Sequence, residues 1–470
     1  MDTNLQIRKD TKGYALVYAL IITSISLIIL VSMMEYVVSQ IRYGTYNSSK
    51  QESFQIAEAG ISFYRWYLAH QTNGKTAQQI ETFWTSGNPF GVGSAYEAEY
   101  RDPAGAGIGK YSIEVTPPAE GSTIVIVKST GWTYKYPDSK KIIQVRLRRP
   151  SWSEYIMLSN DFVRFGSGTE VFGKVFANNG VHFDGVAHNT VYSAVSSYYD
   201  GDPDVQGIRP GVWTSWSNEY NTDMGSDVFS AGKSYPIPDK DFSGVTADLS
   251  LMQTEAMKAG TDGCSASACY FDMNGQSWGK YIILNSNGTF SEISVKNSSG
   301  TSVGEYVGSW RAFDIPDDGI IFVDGDVWLE GNIRDKRVSV VAARLGSASK
   351  ANVYIINDIN YGSYDGSTVL GVVSQKDIEI AKNSDTDLHI DAALLAQSGR
   401  VGREDYGSDD HKDTITVFGA IASNKRYGFA YTDGRGYTNR NLHYDNNLLY
   451  SPPPYFPTGN EYLMDLWEEL

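Results

Sequence analysis

Residues 14–34 read YALVYALIITSISLIILVSMM, a run without one charged side chain. A helix of about 20 apolar residues is long enough to cross the hydrocarbon core of a bilayer. Three basic residues, Arg8, Lys9 and Lys12, precede the run, and a basic flank of this kind stays in the cytoplasm. The sequence therefore predicts one membrane-spanning helix at the cytoplasmic membrane, with the chain from Glu35 onward outside the cytoplasm.

A secretory signal peptide is the alternative interpretation of this run. Its apolar core would be about 7–15 residues long, followed by small residues for cleavage. Here the core is longer, and apolar residues keep recurring at helical spacing through residues 35–70. We therefore predict one helix from Tyr14 to His70, ended by Asn73-Gly74 and about 85 Å long at ~1.5 Å per residue.

Two motifs in this region resemble a known family. Lys12-Gly13 followed by Tyr14 resembles the type III leader of type IV pilin-like proteins, which a prepilin peptidase cuts directly after the glycine. Ala57-Glu58-Ala59-Gly60 is similar to the AEAG signature of PilX-type minor pilins and pseudopilins. The resemblance covers about the first 70 residues and implies cleavage between Gly13 and Tyr14. It also implies that the helix packs against other pilin-like subunits in a pilus or pseudopilus.

The sequence departs from that family at one position. Major pilins carry a glutamate five residues into the mature chain, where it pairs with the amino terminus of a neighbour. Counted from Tyr14, this chain has Tyr18 there, and no charged residue follows before Glu35. The resemblance therefore implies a minor subunit, at the tip or in priming, rather than the repeating subunit of the shaft.

The segment after the helix predicts a small antiparallel sheet. Four stretches alternate or run apolar, and PAGAG, PPAEG and KYPDS separate them as turns. We expect this sheet to pack on the projecting half of the helix. The four stretches are YEAEYRD (96–102), GKYSIEVTP (109–117), STIVIVKSTGWTY (122–134) and KKIIQVRLRRP (140–150).

A different pattern begins after Trp152. Short apolar runs with amide or small residues at their ends recur at irregular spacings, which is typical of the coils of a parallel β-helix. A β-sandwich is the structural alternative. The combination of coils and a PPPYFP strip also resembles, more loosely, the large extracellular regions attached to PilX-like leaders. The runs include VFANNGVHF (175–183), IFVDGDVWLEG (321–331), VSVVAA (338–343), VVSQKDIEI (372–380), LLAQSG (394–399) and IASN (421–424).

Together these patterns predict an α+β fold: a long N-terminal transmembrane pilin-like helix, a small antiparallel sheet, and a right-handed parallel β-helix carrying an inserted subdomain. The proline strip predicts a polyproline II cap over an open coil end, and residues 461–470 predict a short helix. The predicted ranges are a leader (1–13), the helix (14–74), the antiparallel sheet (75–152), first coils (153–191), an insertion (192–309), further coils (310–435) and a proline-aromatic capping tail (436–470).

The two cysteines, Cys264 and Cys269, are five residues apart in CSASAC. In an oxidising compartment they can close a small loop, and the second pair of ligands that a zinc site needs is missing. We expect a disulfide, with two free thiols as the alternative.

Charge and motifs argue against several functions. The net charge of −16 disfavours nucleic acid as a partner, and no G-x-S-x-G or P-loop motif is present. Carboxylate clusters leave an envelope-anchored β-helix enzyme that processes polysaccharides as the rival class, although solvated turns explain them and no calcium-loop order frames them. The clusters are Asp317, Asp318, Asp324 and Asp326; Arg403, Glu404 and Asp405; and Asp409, Asp410, His411, Lys412 and Asp413.

The remaining candidates are histidines and aromatic residues. His182 and His188 are close enough in sequence to approach one another, but no metal motif frames them, and His70, His389, His411 and His443 are scattered. The rings in GVWTSWSNEYNTD (211–223) are suited to stacking on sugars or proteins, or to ordinary packing. We expect no catalytic residue, cofactor or metal.

The sequence thus predicts a non-enzymatic minor pilin-like subunit that acts in assembly priming, tip capping or adhesion. Its expected partners are the membrane, prepilin peptidase, other pilin-like subunits, and a host-surface or glycan ligand. A plain anchored surface protein that never enters a fibre is the third possibility.

The leader generates a direct test. Replacing Gly13 with valine is expected to leave residues 1–13 attached, because the peptidase acts directly after a glycine. Intact-mass measurement of the membrane-extracted protein distinguishes a chain that begins at Tyr14 from one that begins at Met1. Normal processing of the valine variant would count against the pilin-like interpretation.

Overall fold

The structure, a computed structural model, describes residues 12–73, 75, 77–87, 89–119, 122–202, 204–242, 245–273, 278–317, 319–459 and 461–470. The predicted leader lies outside these residues except for the backbone of Lys12 and Gly13. Gly74, in the predicted helix stop, and Asp318 also lie outside them.

One continuous helix, α1 (Lys12–Thr72), opens the chain and confirms the predicted long helix. A short second helix, α2 (Ala77–Ser86), follows it. The C-terminal half of α1 buries one stripe of side chains, whose spacings of one, three and four residues put them on one face of a helix. The stripe consists of Ser49, Ser53, Ile56, Ala57, Gly60, Ile61, Tyr64, Leu68 and Thr72.

The stripe packs on the predicted antiparallel sheet, which the structure confirms. Neighbouring strands pair antiparallel in chain order, and their inward residues share a hydrophobic core with Ile56, Tyr64 and Leu68 of α1. The alternation of buried and half-exposed residues along the strands leaves one sheet face for the helix. The strands are β1 (Tyr96–Arg101), β2 (Gly107–Thr116), β3 (Ile124–Thr133) and β4 (Lys141–Arg148).

The rest of the chain is mostly strand, with one helix, α3 (Val245–Met257), and short 3-10 helices at Trp152–Glu154 and Asn446–Leu449. Up to α3 the strands are β5 (Met157–Ser159), β6 (Val163–Phe165), β7 (Thr169–Phe172), β8 (Val175–Ala177), β9 (Val181–Phe183), β10 (Val186–Ala187), β11 (Val191–Ser193), β12 (Ser197–Asp200), β13 (Gly207–Pro210), β14 (Val212–Trp213), β15 (Tyr220–Asn221), β16 (Ser226–Asp227) and β17 (Lys233–Ser234). After α3 they are β18 (Gly263–Cys264), β19 (Ala268–Phe271), β20 (Gly279–Asn285), β21 (Thr289–Ser299), β22 (Ser302–Asp314), β23 (Gly319–Val323), β24 (Asp326–Ile333), β25 (Arg337–Ala342), β26 (Val353–Tyr361), β27 (Val369–Ser374), β28 (Ile378–Ile380), β29 (Asp387–Ala396), β30 (Val401–Arg403), β31 (His411–Ser423), β32 (Gly436–Tyr444) and β33 (Leu463–Glu469).

Most of these strands pair in parallel, and their partners are usually not the next strand along the chain. This arrangement differs from a β-sandwich, whose strands pair antiparallel. One ladder runs in the spatial order β19, β23, β25, β27, β29, β31, β5, β8, β11, β17. A second ladder joins β20, β24, β26, β28 and β30. A third joins β6, β9 and β14. The inward apolar residues of these strands form one continuous core.

The stacking order differs from the order along the chain. The first strand of the region, β5, pairs with the end of β31, so that Met157 lies opposite Ile421. The chain later passes from β17, at one end of the ladder, to β19, at the other end. Helix α3 covers this passage: Leu249 and Met252 pack in one apolar cluster with Tyr270 of β19 and Phe322 of β23. Strands β19 and β20, which belong to these ladders, fall inside the predicted 192–309 insertion.

The prediction for the C-terminal tail is wrong in two respects. Residues 463–469 form strand β33 rather than a helix, and β33 pairs antiparallel with β4 as a fifth strand of the small sheet. The free edge of β4 offers a full set of backbone partners, and such tertiary pairing overrides the helix propensity of a short segment. The proline strip lies beside the parallel ladder instead of over its end: Ser339 donates to the Pro454 carbonyl at 2.5 Å, and β25, which carries Ser339, is the third of the ten strands in that ladder.

The fit of α1 to the sheet generates a prediction with a matched control on the same helix. A Cβ added at Gly60 would lie 2.3 Å from Ser129 Oγ and 3.1 Å from the Tyr111 ring, whereas nothing lies within 4 Å of one added at Gly44. Gly60→Ala is expected to lower the stability by about 1–3 kcal/mol through overpacking. Gly44→Ala is expected to cause no loss, because alanine favours helix by about 0.5–1 kcal/mol.

The measurement is the melting temperature of each variant, obtained by thermal unfolding of the full chain in detergent. The double variant Gly60→Ala/Ser129→Ala removes the hydroxyl that the new Cβ would meet, so it should recover part of the lost stability. Equal melting temperatures for the two single variants would show that the helix does not rest on the sheet this closely.

Candidate interaction surfaces and charged clusters

The N-terminal half of α1 presents apolar side chains in every direction. The part of the helix that is long and apolar enough to cross a membrane has a mean hydropathy of 2.5, and none of it is buried. Tyr18 is 64% exposed, and Leu20 and Ile28 are similarly open. A helix that is apolar all round needs an apolar environment, so this half is suited to lipid or to the apolar faces of other helices.

Two of the hydroxyl residues in this half, Thr23 and Ser24, are adapted to such an environment. Thr23 Oγ1 donates to the Ala19 carbonyl at 2.8 Å, and Ser24 Oγ donates to the Leu20 carbonyl at 2.7 Å. A polar group without a partner costs several kcal/mol in hydrocarbon, but these bonds lie within the helix itself. Both hydroxyls therefore remain satisfied whatever surrounds the helix.

The AEAG motif lies where α1 crosses the sheet. Ala57 is fully buried and Gly60 faces Ser129 and Tyr111 of the sheet, whereas Glu58 is exposed. Across from the motif, a Cβ on Gly131 of β3 would meet the Ser53 carbonyl oxygen at 2.3 Å. Small residues on both sides bring the two backbones together. The motif thus has a packing role in this chain, and its glutamate is free to face solvent or another subunit.

Cys264 and Cys269 form a disulfide, with a Cα–Cα distance of 4.0 Å. The two cysteines lie opposite one another on the hairpin of β18 and β19. Since β19 is the terminal strand of the longest parallel ladder, the crosslink fixes the end of that ladder.

The structure separates the predicted carboxylate clusters into unrelated contacts. Asp326 is buried, and its carboxylate accepts the backbone N–H of Asn352 at 2.9 Å and pairs with Arg344 at 3.4 Å. Burial raises the pKa of Asp326, and it raises that of Asp324 together with the charge of Asp272. Asp317 lies 3.6 Å from Lys336. These side chains therefore make separate local contacts, and Asp326 is buried in a strand rather than in the solvated turn that the sequence indicates.

A buried ion pair joins the second and third clusters. Arg403 is completely buried and binds the Asp410 carboxylate through two nitrogens, at 2.5 and 3.0 Å. It also donates to the Lys382 carbonyl. Glu404, Asp409 and Asp413 remain exposed, and Asp405 pairs with Arg435. Removing one partner of such a buried pair costs about 3–5 kcal/mol, so Arg403 and Asp410 serve the fold.

His182 and His188 do not meet. His182 is buried, with Asp184 at 3.0 Å, Asp200 at 3.3 Å and the hydroxyl of Ser215 at 2.8 Å. His188 instead lies beside Glu170, at 3.2 Å. Among the residues that the structure describes, no group of three or more His, Cys, Asp or Glu side chains is placed to hold a metal ion.

His443 and His188 share one neighbour: both rings stack on Phe172, at centroid distances of 4.6 and 4.1 Å. The hydrogen bond to Asp391 raises the pKa of His389, and burial lowers that of His443. His411 contacts the Gly434 carbonyl, and His70 contacts the Trp66 carbonyl within α1.

The aromatic rings of residues 211–223 are mostly occupied. Trp213 is buried, stacks on His182 at a centroid distance of 4.0 Å, and donates from Nε1 to the Tyr198 hydroxyl. Trp216 donates to the Asp184 carbonyl. Ordinary packing therefore accounts for these two tryptophans.

Several buried charged residues lie outside the sequence-based candidates, and Glu379 is one of them. Glu379, an outward position of β28, is almost fully buried and pairs with Arg400 at 3.0 Å. Burial raises the pKa of its carboxyl to about 7, and the Arg400 guanidinium offsets part of the rise. The pattern VVSQKDIEI marks Glu379 as a strand residue, but no sequence signal shows what covers it.

No protein family model matches this chain, and no curated protein matches it. Among solved structures, it is similar to the crystal structure of the competence-associated pilin ComZ from Thermus thermophilus. That alignment covers 90% of this chain and 98% of the other, with 14% sequence identity and a TM-score of 0.32. A likeness this distant supports no conclusion about fold or function.

The Glu379 carboxyl predicts a pH dependence of stability. Its pKa is about 7 in the folded chain and near 4.5 in a solvated one, so the unfolded chain loses the proton first as the pH rises. Stability therefore falls between pH about 4.5 and about 7. Glu379→Gln lacks this titrating carboxyl, so its melting temperature should fall less than that of the wild type across the range. The melting temperature of the variant minus that of the wild type should therefore increase with pH.

The control is Glu305→Gln, which alters an exposed pair with Lys296. Its difference from the wild type should stay constant with pH. A constant difference for Glu379→Gln as well would contradict the raised pKa.

Proposed function

We propose that this chain is a minor pilin-like subunit of a type IV pilus or pseudopilus, acting in assembly priming, tip capping or adhesion. Removal of residues 1–13 by a prepilin peptidase would create the mature subunit, which begins at Tyr14. One observation carries the proposal: a single unbroken helix is divided between a sheet of its own chain and an exposed apolar half.

The division of the helix suits a subunit that moves from membrane to fibre. In lipid, helices gain little from hydrophobic association because lipid tails are as apolar as leucine, so close packing decides the exchange of neighbours. The N-terminal half of α1 has open leucine, isoleucine and valine side chains for such packing. The small sheet packs on the C-terminal half of α1. When the helix moves from the membrane into a fibre, the rest of the chain would therefore move with it.

Tyr18 supports a minor rather than a repeating role. An uncharged residue at this point of the apolar run cannot form an ion pair with the amino terminus of another subunit. Association through α1 would then depend on apolar packing alone, which suits a subunit present in few copies at a fibre end.

The coil region is the proposed outward part. We propose that its parallel ladders wind as a right-handed β-helix, with the segment between β11 and β19 as the subdomain carried on it. Both connections to the small sheet lie side by side: the Trp152 amide donates to the Pro457 carbonyl at 3.1 Å, and the Gly459 amide donates to the Pro150 carbonyl at 2.7 Å. This double connection suits a rigid head mounted on a pilin-like base.

The proposal assigns the chain no catalytic activity. An envelope-anchored enzyme acting on polysaccharides remains the rival, and Glu379, with its raised pKa, is the residue on which that rival would rest. Its carboxylate is held by Arg400 and is almost closed to solvent, a geometry that serves the packing of β28 equally well.

The test is whether the mature chain enters fibres. Surface fibres sheared from cells should contain the protein with Tyr14 as its first residue, and the Gly13→Val variant should be missing from them while present in the membrane. Retention of the mature wild-type chain in the membrane fraction, with fibres free of it, would support the plain anchored protein instead.

A further inference from the structure

Two exposed aromatic side chains pack edge to face against the buried ring of Tyr281 and form a platform with it. Tyr306 and Trp310 of β22 are 46% and 48% exposed, and both rings lie 6.0 Å from the ring of Tyr281 on β20. The Tyr281 hydroxyl donates to Glu330 at 2.7 Å, which fixes the orientation of that ring. Rings fixed in this way cost little conformational entropy when they bind a ligand.

The strand register places polar side chains beside this platform on the same sheet face. Tyr281, Ile283 and Asn285 alternate along β20, and Ile283 lies opposite Ser291 of β21 and Glu330 of β24. Next to them is a shallow hollow of about 610 Å³, whose lining includes the amides and hydroxyls of Asn285, Asn287, Thr289, Ser291 and Asn332. The face thus combines ring surfaces with hydrogen-bonding groups of both donor and acceptor type.

The charges of these strands point away from the platform. Lys280 and Arg311 alternate with Tyr281 and Trp310, so they lie on the opposite face, where both pair with Glu292. The carboxylate of Glu330 remains beside the platform. A ligand with negative charge would therefore meet a carboxylate without a facing cation, which disfavours acidic ligands.

The platform lies on the edge of its sheet, but that edge is unsuited to adding a strand. Within the described residues β22 pairs only with β21, and the register shifts at three places along this pair. Bulges of this kind twist an edge away from further pairing. Strand addition by a protein segment is therefore disfavoured, whereas the ring faces remain open.

We propose that the exposed rings of Tyr306 and Trp310, supported by the buried ring of Tyr281, bind a neutral glycan together with the polar hollow on the same sheet face. The C–H groups on one face of a pyranose ring are apolar and slightly positive, and they match the negative face of an aromatic ring. Its equatorial hydroxyls need amide, hydroxyl and carboxylate partners such as those of the hollow. This site deepens the adhesive part of the proposed function, and its biological use rests on that proposal.

Binding is measured by titration calorimetry on the full chain in detergent, with glucose and N-acetylglucosamine hexamers as neutral probes and a galacturonate hexamer as the acidic probe. At least one neutral hexamer should bind with a dissociation constant below about 1 mM, and the acidic hexamer more weakly. Trp310→Ala should weaken binding about tenfold or more, and Tyr306→Ala should also weaken it.

The control is Tyr199→Ala, because Tyr199 on β12 is 61% exposed but lies outside the platform. This variant should bind like the wild type, and matching melting temperatures show that all variants are folded. Failure of both neutral hexamers to bind, tighter binding of the acidic hexamer, unchanged affinity of Trp310→Ala, or capture of an extended peptide on this face instead would overturn the glycan site.

Glycan binding by the purified chain does not depend on leader removal. Absence from fibres with glycan binding intact would refute only the pilin-like function. Presence in fibres without binding to either neutral hexamer would refute only the site.

Discussion

The fold depends on how closely helix α1 approaches strand β3. Ala57 and Gly60 on the helix and Gly131 on the strand leave no room for a larger side chain at the crossing. Buried Ser49 and Thr133 add a hydrogen bond of 2.5 Å at the edge of the same contact. Because half of the helix is held in this way, the other half projects as an isolated rod. An isolated apolar rod is stable only in lipid or among other apolar helices, so the packing at one end determines the environment at the other.

In the β-rich region after Trp152, strands from the beginning of the region pair with strands from its end. Strand β5 stacks on β31, and Arg440 of β32 lies opposite Thr169 of β7. The pairings of β5 with β31 and of β7 with β32 therefore join strands that are far apart in sequence, and such long-range contacts are slow to form. The segments that connect this region to the small sheet, around Trp152 and Pro457, lie side by side next to β4 and β33. A force applied through α1 would load both connections at once.

The helix and the four-strand sheet were predictable because their signals are local. The helix has an apolar run with consistent periodicity, and each strand is bounded by turn residues. The position of β33 was not predictable, because its segment has helix propensity and only the distant edge of β4 makes it a strand. The same holds for the stacking of β5 on β31, which no spacing along the chain reveals. From the sequence alone, Asp410 looks like a solvated loop residue, because its partner Arg403 is identified only by the fold. Likewise, the sequence does not show that His182 covers the ring of Trp213.

The central claim is that the free half of α1 exchanges lipid for neighbouring helices in a fibre. A photo-crosslinking amino acid placed at Leu20, which is exposed on that half, tests this most directly. In the membrane fraction the probe should label lipid, and in sheared fibres it should join this chain to other pilin-like subunits. A probe at Trp66, on the outer face of the docked half, serves as the comparison. Labelling of lipid alone from Leu20, in every fraction of the cell, would contradict the account.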